Sequence, residues 1–524
     1  MRTRSIFTWI LAGLSLLIIG MSGGDARSAD RDQVIRNVPA QWRDGVSRVI
    51  DLASEEWNDW ELIAALETYE PGTREHRAMC FLIANMEKHL YVDYVNPEDP
   101  LNPFSPEEGD IEWTREYIYD YSTISAELLI EDVEWTFIAR DSFSWCSTLP
   151  EDVFFDYVLP YRSTQEPLHS WRGMMFEELA PMVNGLDTTL EVAWLLNGYN
   201  TGRFGFDPLY YRHPEDRDIP TLLETGAGRC EDMSNLSNYS LRAVGVPTTS
   251  DFTPWWPKGD NNHAWNVVWD NGRWYSFMGC ESGSEPVWDT IKNRPFAKVY
   301  RKSYSADPIM GPAPDGTMAP RLMRVAALDV TPEYTTVSDI EIPVYNPSRA
   351  TYLCVFNYGA WRAVAGEWAN GDVVRFGDVG NDEILYCATE YIEDESGWGD
   401  HRPVAIPFVL HEDGTVSYIN AQRTASHRPD IVLTGWNSGT NLEGGQDVYL
   451  FRYIDSGTEE GETEPGWQLI SRVATIEVEG IGTAVFPGLG VYGGLYLLSD
   501  SDDPEAFREG SRPFVQAASG AMYY

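Results

Sequence analysis

The chain has 524 residues, and its 81 acidic residues outnumber 38 Lys and Arg, which gives a formal net charge of −43 at pH 7. The acidic residues are spread along the chain, and such a surface repels nucleic-acid phosphates and anionic membranes, so both are excluded as partners. A hydrophobic share of 43% with an aromatic share of 13% excludes a disordered chain, and roughly 150 residues per domain predicts three or four folded units.

The N-terminus has the order of a signal peptide. Arg2 and Arg4 form a short basic stretch, an almost wholly apolar run extends from Ile6 to Ile19, and small residues follow at 22–24. This run is short for a membrane span, and no later segment is long and apolar enough to cross a bilayer. We expect residues 1–26 to be removed and the mature chain to be secreted, periplasmic or on the cell surface. An uncleaved N-terminal anchor is the alternative.

Residues 27–160 carry apolar side chains at helical spacing. Stretches with this period run from Gln41 to Leu66, from Arg74 to Leu90 and from Trp113 to about Ile138. Apolar residues that recur every three or four positions are typical of amphipathic helices. The sequence therefore predicts a helical N-terminal region.

Residues 161–310 combine helical and strand patterns. Helices are predicted at 171–182 and 186–198, and a third begins at Gly228 or Arg229 and runs to Val244. A strand follows at 264–269, Asn271-Gly272 is a strong two-residue hairpin signal, and 273–277 is the returning strand. We expect an α+β core in this part of the chain.

Residues 325–524 consist of short strand-like segments between Gly, Asn, Asp and Pro turns. Regular short strands without helices predict a β-sandwich at 325–420 and a second β-rich domain at 421–524. Cys354 and Cys387 both lie in strand-like sequence, so they could form a disulfide if neighbouring strands bring them together.

Two residues of the predicted core have the surroundings of a catalytic pair. Cys230 lies at the start of a predicted helix, where unpaired backbone N–H groups and the helix dipole stabilise a thiolate. His263 opens the strand that leads into the hairpin. A Cys at a helix start and a His on a following strand can meet across a cleft, as a nucleophile with its general base.

The motifs around this pair resemble those of the transglutaminase-like branch of the papain-like cysteine superfamily, as found in secreted bacterial proteins. In the family's order, the chain has Gly228 and Cys230, then Gly245-Val246-Pro247, then His263-Ala264-Trp265, then Trp274 and Phe277. The resemblance implies an acyl-enzyme intermediate on an amide or peptide carbonyl, with an oxyanion hole partly built from the Cys230 backbone N–H. The implied activity is that of a cysteine-dependent amidase or peptidase, or of a protein-glutamine acyltransferase.

The family's third catalytic residue is an Asp four positions after Trp274, where this chain has Met278. The nearest acid is Glu281. Three alternatives are open: Glu281 orients His263 from further along the chain, an Asn or a water does so, or the site is impaired.

The expected function is thiol-dependent hydrolysis or acyl transfer at an amide bond. Its substrate would be a peptide, a glycopeptide or a cell-wall peptide, with polysaccharide a possible ligand of the β domains. Trp255, Trp256 and Trp265 either line the substrate cleft by stacking or simply pack. No histidines or cysteines have metal-ligand spacing, so neither a metal nor a cofactor is expected. The alternative function is a catalytically impaired scaffold that binds peptide or carbohydrate outside the cell.

Overall fold

The computed structural model of the chain describes residues 24–95, 114–212, 216–281, 288–310, 325–344, 350–368, 371–393, 399–419, 428–454, 466–504, 506–517 and 519–524. The signal peptide predicted at residues 1–26 lies outside these ranges except for its last three residues.

Twelve helices lie within the described residues. They are α1 (Gly24–Asn37), α2 (Arg43–Glu55), α3 (Asp59–Glu67), α4 (Arg74–Ala84), α5 (Asp120–Thr123), α6 (Ala126–Ser142), α7 (Ser144–Ser147), α8 (Glu151–Tyr157), α9 (Arg172–Val183), α10 (Thr189–Thr201), α11 (Ile219–Thr225) and α12 (Cys230–Ala243). None of these described helices is both long and apolar enough to cross a membrane.

The strands are concentrated in the second half of the chain. They are β1 (Leu90–Val95), β2 (Thr114–Tyr119), β3 (Gly205–Phe206), β4 (Ala227–Gly228), β5 (Thr248–Thr253), β6 (His263–Asp270), β7 (Arg273–Phe277), β8 (Tyr300–Lys302), β9 (Ala327–Asp329), β10 (Val337–Pro343), β11 (Ala350–Asn357), β12 (Ala360–Trp368), β13 (Val373–Gly380), β14 (Ile384–Glu393), β15 (Gly399–Pro403), β16 (Phe408–Leu410), β17 (Val416–Tyr418), β18 (Ile431–Leu433), β19 (Asp447–Ile454), β20 (Gly466–Ala474), β21 (Ile476–Val478), β22 (Ile481–Phe486), β23 (Leu495–Ser499), β24 (Phe514–Ala517) and β25 (Gly520–Tyr523). With the helices in the first half, they confirm the predicted α+β class.

The N-terminal region is helical as predicted, with two corrections. The stretch 41–66 forms two main helices, α2 and α3, because the chain turns at Trp57, whose φ is +62°. The third predicted helix begins too early, since 114–119 forms β2, which pairs antiparallel with β1. The spacing of apolar residues does not reveal this strand, because β1, with which it pairs, lies outside the short stretch of sequence over which a helical period is judged.

The core places α12 between helices and a sheet. This helix packs against α9 and α10 on one side and against β5 and β6 on the other. The sheet has the order β7-β6-β5-β8-β9. Asn271 and Gly272 both have positive φ, as a type I′ turn requires, which confirms the predicted hairpin between β6 and β7.

The helical region and α12 share one hydrophobic cluster that extends from Val34 to Tyr304. The predicted boundary between residues 160 and 161 therefore falls inside a continuous core. Arg172 of α9 crosses this core: it is buried and pairs with Asp132 of α6 at 2.7 Å. Its guanidinium also donates to backbone carbonyls at 158, 159, 160 and 242.

The C-terminal half is built of antiparallel sheets, as predicted, and its described strands form two β-sandwiches. In the first, β10 and β13 face a larger sheet with the order β12-β11-β14-β16-β17 across one hydrophobic cluster. In the second, the sheet β18-β22-β21 faces β20-β19-β23-β24-β25. A further cluster joins the outer face of β11 to β19 and β23, so the two sandwiches pack on each other.

The strand register places Cys354 of β11 directly opposite Cys387 of β14. This is the neighbour relation that the predicted disulfide needs. Both side chains are buried and are not joined by a disulfide in this structure, so the disulfide stays a prediction.

The Arg172–Asp132 pair yields a stability prediction. Asp132→Asn leaves a buried guanidinium without its counter-charge, which we expect to cost about 3–5 kcal/mol in the free energy of unfolding. The exposed pair Arg375–Glu341, with side chains 68% and 62% accessible, supplies the control. Glu341→Gln should cost less than about 1 kcal/mol. Denaturant unfolding followed by circular dichroism measures both, and equal effects would contradict the structural role of the buried pair.

Candidate active site

The nucleophile candidate Cys230 is the first residue of α12. The Asp232 carboxylate accepts the Arg229 backbone N–H at 2.8 Å and so caps the helix start. Gly228 is required just before it, because a Cβ at this position would lie 2.3 Å from Arg217 Nη2 and 2.6 Å from the Asp232 Cβ. The glycine and cysteine of the recognised motif thus form one compact turn into the helix.

Burial raises the pKa of the Cys230 thiol, and the neighbouring Glu231 carboxylate adds to the rise. The Ala264 backbone N–H and the Tyr211 hydroxyl, as donors near the sulfur, and the positive charge of Arg229 lower this pKa but only partly oppose the rise. Desolvation therefore works against the thiolate that the helix start is expected to stabilise. The Cys230 side chain is therefore a neutral thiol at pH 7.

The base candidate His263 opens β6, and it lines the same cavity as Cys230 and its own neighbour Ala264. Its ring lies between the indoles of Trp256 and Trp265, with centroid distances of 6.0 and 5.8 Å. Burial, with the positive charge of Arg294, lowers the pKa of His263 to about 4. The imidazole is neutral at pH 7 and can accept a proton.

Met278 occupies the position next to the histidine where the family's acid is expected. Its sulfur lies 3.4 Å from His263 Nε2. Glu281 does not replace it: its side chain is exposed, and among the described contacts its backbone carbonyl accepts the Thr201 hydroxyl at 2.8 Å. No described hydrogen bond joins Glu281 to His263, and Arg294 is the charged group that acts on the ring. The structure thus does not bring the predicted third residue to the pair.

The three tryptophans proposed as a substrate cleft have different positions. Trp265 is 0% exposed and donates its indole N–H to the Tyr334 hydroxyl at 3.0 Å, so the prediction that it stacks on substrate is wrong. Trp256 is half-buried against His263 and Phe296. Trp255 lines the cavity and also packs on the core of the first sandwich.

Cys230 and His263 line one cavity of about 540 Å³, a size typical of small-ligand and peptide side-chain sites. Its walls include residues from the helical region and from β5 and β8, among them Lys88, His89, Arg162, Phe252 and Lys302. The sequence does not point to the other cavity residues, because their approach to Cys230 depends on contacts between distant segments; they include Lys88, His89, Tyr211, Phe252 and Lys302.

A comparison with protein families matches the part of the chain that contains this site. Residues 178–278, which contain Cys230, His263 and Met278, match the model of the family described as the Transglutaminase-like superfamily. The chain therefore carries a transglutaminase-like domain, and members of this superfamily are usually cysteine-dependent enzymes. No curated protein sequence matches the chain.

Two solved structures are similar to the chain at 10% sequence identity. One is described as a "Putative Cysteine Protease from Cytophaga hutchinsonii"; the match covers 50% of this chain and 66% of that one, with a TM-score of 0.21. The other is red sea bream transglutaminase; the match covers 68% of this chain and 77% of that one, with a TM-score of 0.23.

The Met278 contact yields a prediction about charge. Met278→Asp places a carboxylate beside His263 Nε2, and an opposite charge at this distance raises a histidine pKa by about 1–3 units. The imidazolium in turn stabilises the Cys230 thiolate, so we expect iodoacetamide to alkylate Cys230 at pH 7 at least about 10-fold faster than in the native chain.

The control is Met278→Leu, which keeps an uncharged side chain of similar size. Peptide mass mapping separates Cys230 from the buried Cys280. Equal alkylation rates in the Asp and Leu variants would show that this position does not set the charge of the pair.

Proposed function

We propose that the protein is a thiol-dependent enzyme that cleaves or transfers the acyl group of an amide bond, with Cys230 as nucleophile and His263 as general base. The observation that carries the proposal is the shared cavity wall: Cys230, at the start of α12, and His263, at the start of β6, line the same cavity. Its position inside the transglutaminase-like domain supports the same function.

Each group would have a distinct role in the reaction. As the Cys230 sulfur attacks the amide carbonyl, its proton moves to His263, which is neutral because its pKa is about 4. The first backbone N–H groups of α12 have no partner within the helix and would stabilise the oxyanion, with the Tyr211 hydroxyl beside them. His263 then returns the proton to the leaving amine, and a thioester to Cys230 remains.

The second half of the reaction decides between hydrolysis and transfer. Water or an amine attacks the thioester carbonyl, gives up its proton to His263, and releases Cys230, which regains that proton. Hydrolysis requires only water, so it is the activity we propose first. The acyl donor we propose is a peptide, glycopeptide or cell-wall peptide met outside the cytoplasm, with polysaccharide a candidate ligand of the β-sandwiches.

A second candidate function rests on Met278. With a thioether instead of a carboxylate at 3.4 Å from Nε2, no described acid holds an imidazolium at this position. A chain that kept the core as a scaffold and binds peptide or carbohydrate would tolerate this substitution. The two functions differ in one outcome, which is whether Cys230 becomes acylated.

The test is a set of peptide amides, including glutamine-containing and cell-wall peptides, incubated with the full chain with and without hydroxylamine as a second nucleophile. We expect intact-mass spectrometry to detect an acyl group on Cys230, and hydroxamate to form if transfer occurs. Cys230→Ser should abolish the thioester, and His263→Ala should slow turnover by about 100- to 10,000-fold.

Cys280→Ser is the matched control, because Cys280 is buried near the site and its thiol has a pKa raised to about 12. Its replacement should leave Cys230 acylation intact. Binding of a peptide or glycan without any acylation of Cys230 would instead favour the scaffold function.

A further inference from the structure

The segment that leads into His263 is held from outside the core. Residues 256–261 form a closed loop, in which the Trp256 N–H donates to the Asn261 carbonyl at 3.0 Å. Asn261 has a φ of +75°, in the left-handed region that non-glycine residues occupy only when their surroundings fix them. The loop ends two residues before the proposed base, so the geometry of the loop sets the position of His263.

Asn357, the last residue of β11 in the first sandwich, supplies one anchor. Its side chain is 0% exposed. Its amide oxygen accepts the Asn261 N–H at 3.0 Å, and its amide nitrogen donates to the carbonyls of Trp256, Gly259 and Asn261 at 2.9, 2.7 and 3.1 Å. All these described bonds of the Asn357 side chain go to one loop, 96 to 101 residues away in sequence.

Asp260 lies in the loop itself and forms the second anchor, through contacts with both sandwiches. Its carboxylate accepts the Tyr358 N–H at 3.0 Å from the first sandwich, and the Gly510 N–H and the Arg512 guanidinium from the second. The ion pair with Arg512, at 2.8 Å, is mostly buried. Both sandwiches therefore meet on the same short loop.

The loop also contacts the nucleophile side of the site. Asn261 and Tyr211 line the same cavity as Cys230, and Tyr211 is close enough to both to be affected by them electrostatically. The loop that Asn357 holds therefore borders the Cys230 side of the cavity and also continues into His263.

We infer that Asn357 and Asp260 are positioning residues through which the two β-sandwiches fix the Cys230–His263 geometry. The inference rests on the proposed function, and it gives the C-terminal half a direct part in catalysis in addition to any ligand it binds. A displacement of about 1 Å in a catalytic group can cost about 100-fold in rate, so anchoring a loop beside the base has a measurable effect.

The test compares two alanine variants of buried asparagines in the same sandwich. Asn357→Ala removes the anchor. Asn381→Ala is the matched control: Asn381 is 4% exposed and its amide donates to Ser338 and to the Glu412 carbonyl, away from the loop. Both substitutions remove one buried amide and add no charge.

The first readout is the titration of His263, followed by NMR of ring-labelled histidine in the full chain, with His263→Gln to assign the signal. Burial holds the pKa of this ring near 4. If Asn357→Ala frees the loop and admits water, the pKa should rise by at least about 1 unit toward 6.5, while Asn381→Ala leaves it unchanged.

The second readout is kcat/KM on a substrate that acylates Cys230, which we expect to fall at least about 10-fold in Asn357→Ala and less than about 2-fold in Asn381→Ala. Asp260→Ala tests the second anchor from the loop, and because it leaves the Arg512 guanidinium without its counter-charge, the free energy of unfolding of this variant is measured alongside. Removing a negative charge would by itself lower the His263 pKa, so a rise in this variant can only come from exposure of the ring.

Titration and activity that stay at native values in Asn357→Ala and Asp260→Ala would overturn the positioning role. A shifted His263 titration with an unchanged kcat/KM would also overturn the positioning role. A native chain that acylates on no substrate would instead overturn the proposed function, and the titration would still decide whether the sandwiches hold the loop.

Discussion

The arrangement of the site depends on one buried side chain, Asn238, in the middle of α12. It is fully buried, and its amide uses all four hydrogen-bonding positions, two as donor and two as acceptor. The partners are Ser163, Thr248, Ser250 and Asn266. A shift of the helix along the sheet would leave these polar groups buried and unpaired, at about 1–3 kcal/mol each. The network therefore fixes α12 against β5 and β6, and with them Cys230 against His263.

Desolvation then determines the chemistry that this fixed pair can perform. Burial raises the pKa of Cys230 and lowers that of His263, so both effects favour the neutral thiol and neutral imidazole over an ion pair. Met278 adds no charge that would reverse this preference. Proton transfer in the proposed reaction accordingly accompanies attack on the substrate, because no stored thiolate precedes it. Because no acid orients the His263 ring, the bound substrate must hold the ring and the thiol in position for the reaction.

Local sequence features predict the helix and the hairpin that form this site. They do not predict which side chains from distant segments reach it. Spacing and turn chemistry within short windows predict a helix start at Gly228 or Arg229 and a hairpin at Asn271-Gly272. The structure begins the helix at Cys230, one or two residues later, and confirms the hairpin. The burial of Trp265 and the approach of Tyr211 to the sulfur come from segments that are not adjacent in sequence. For the same reason Glu281 was a reasonable candidate on spacing alone, yet the chain turns its side chain toward solvent.

The same distinction applies to the C-terminal half of the chain. As a sequence it predicts only β-sandwiches, which are equally suited to be spacers or ligand-binding modules. The structure shows that Asn357, Tyr358 and Arg512 of these sandwiches contact the loop before His263. Deleting the residues from Val325 onward would remove every one of these anchors together with the sandwiches. Loss of substrate turnover in such a truncation would follow from a displaced His263, whether or not the sandwiches bind substrate, so point substitutions at the loop are needed to separate the two roles.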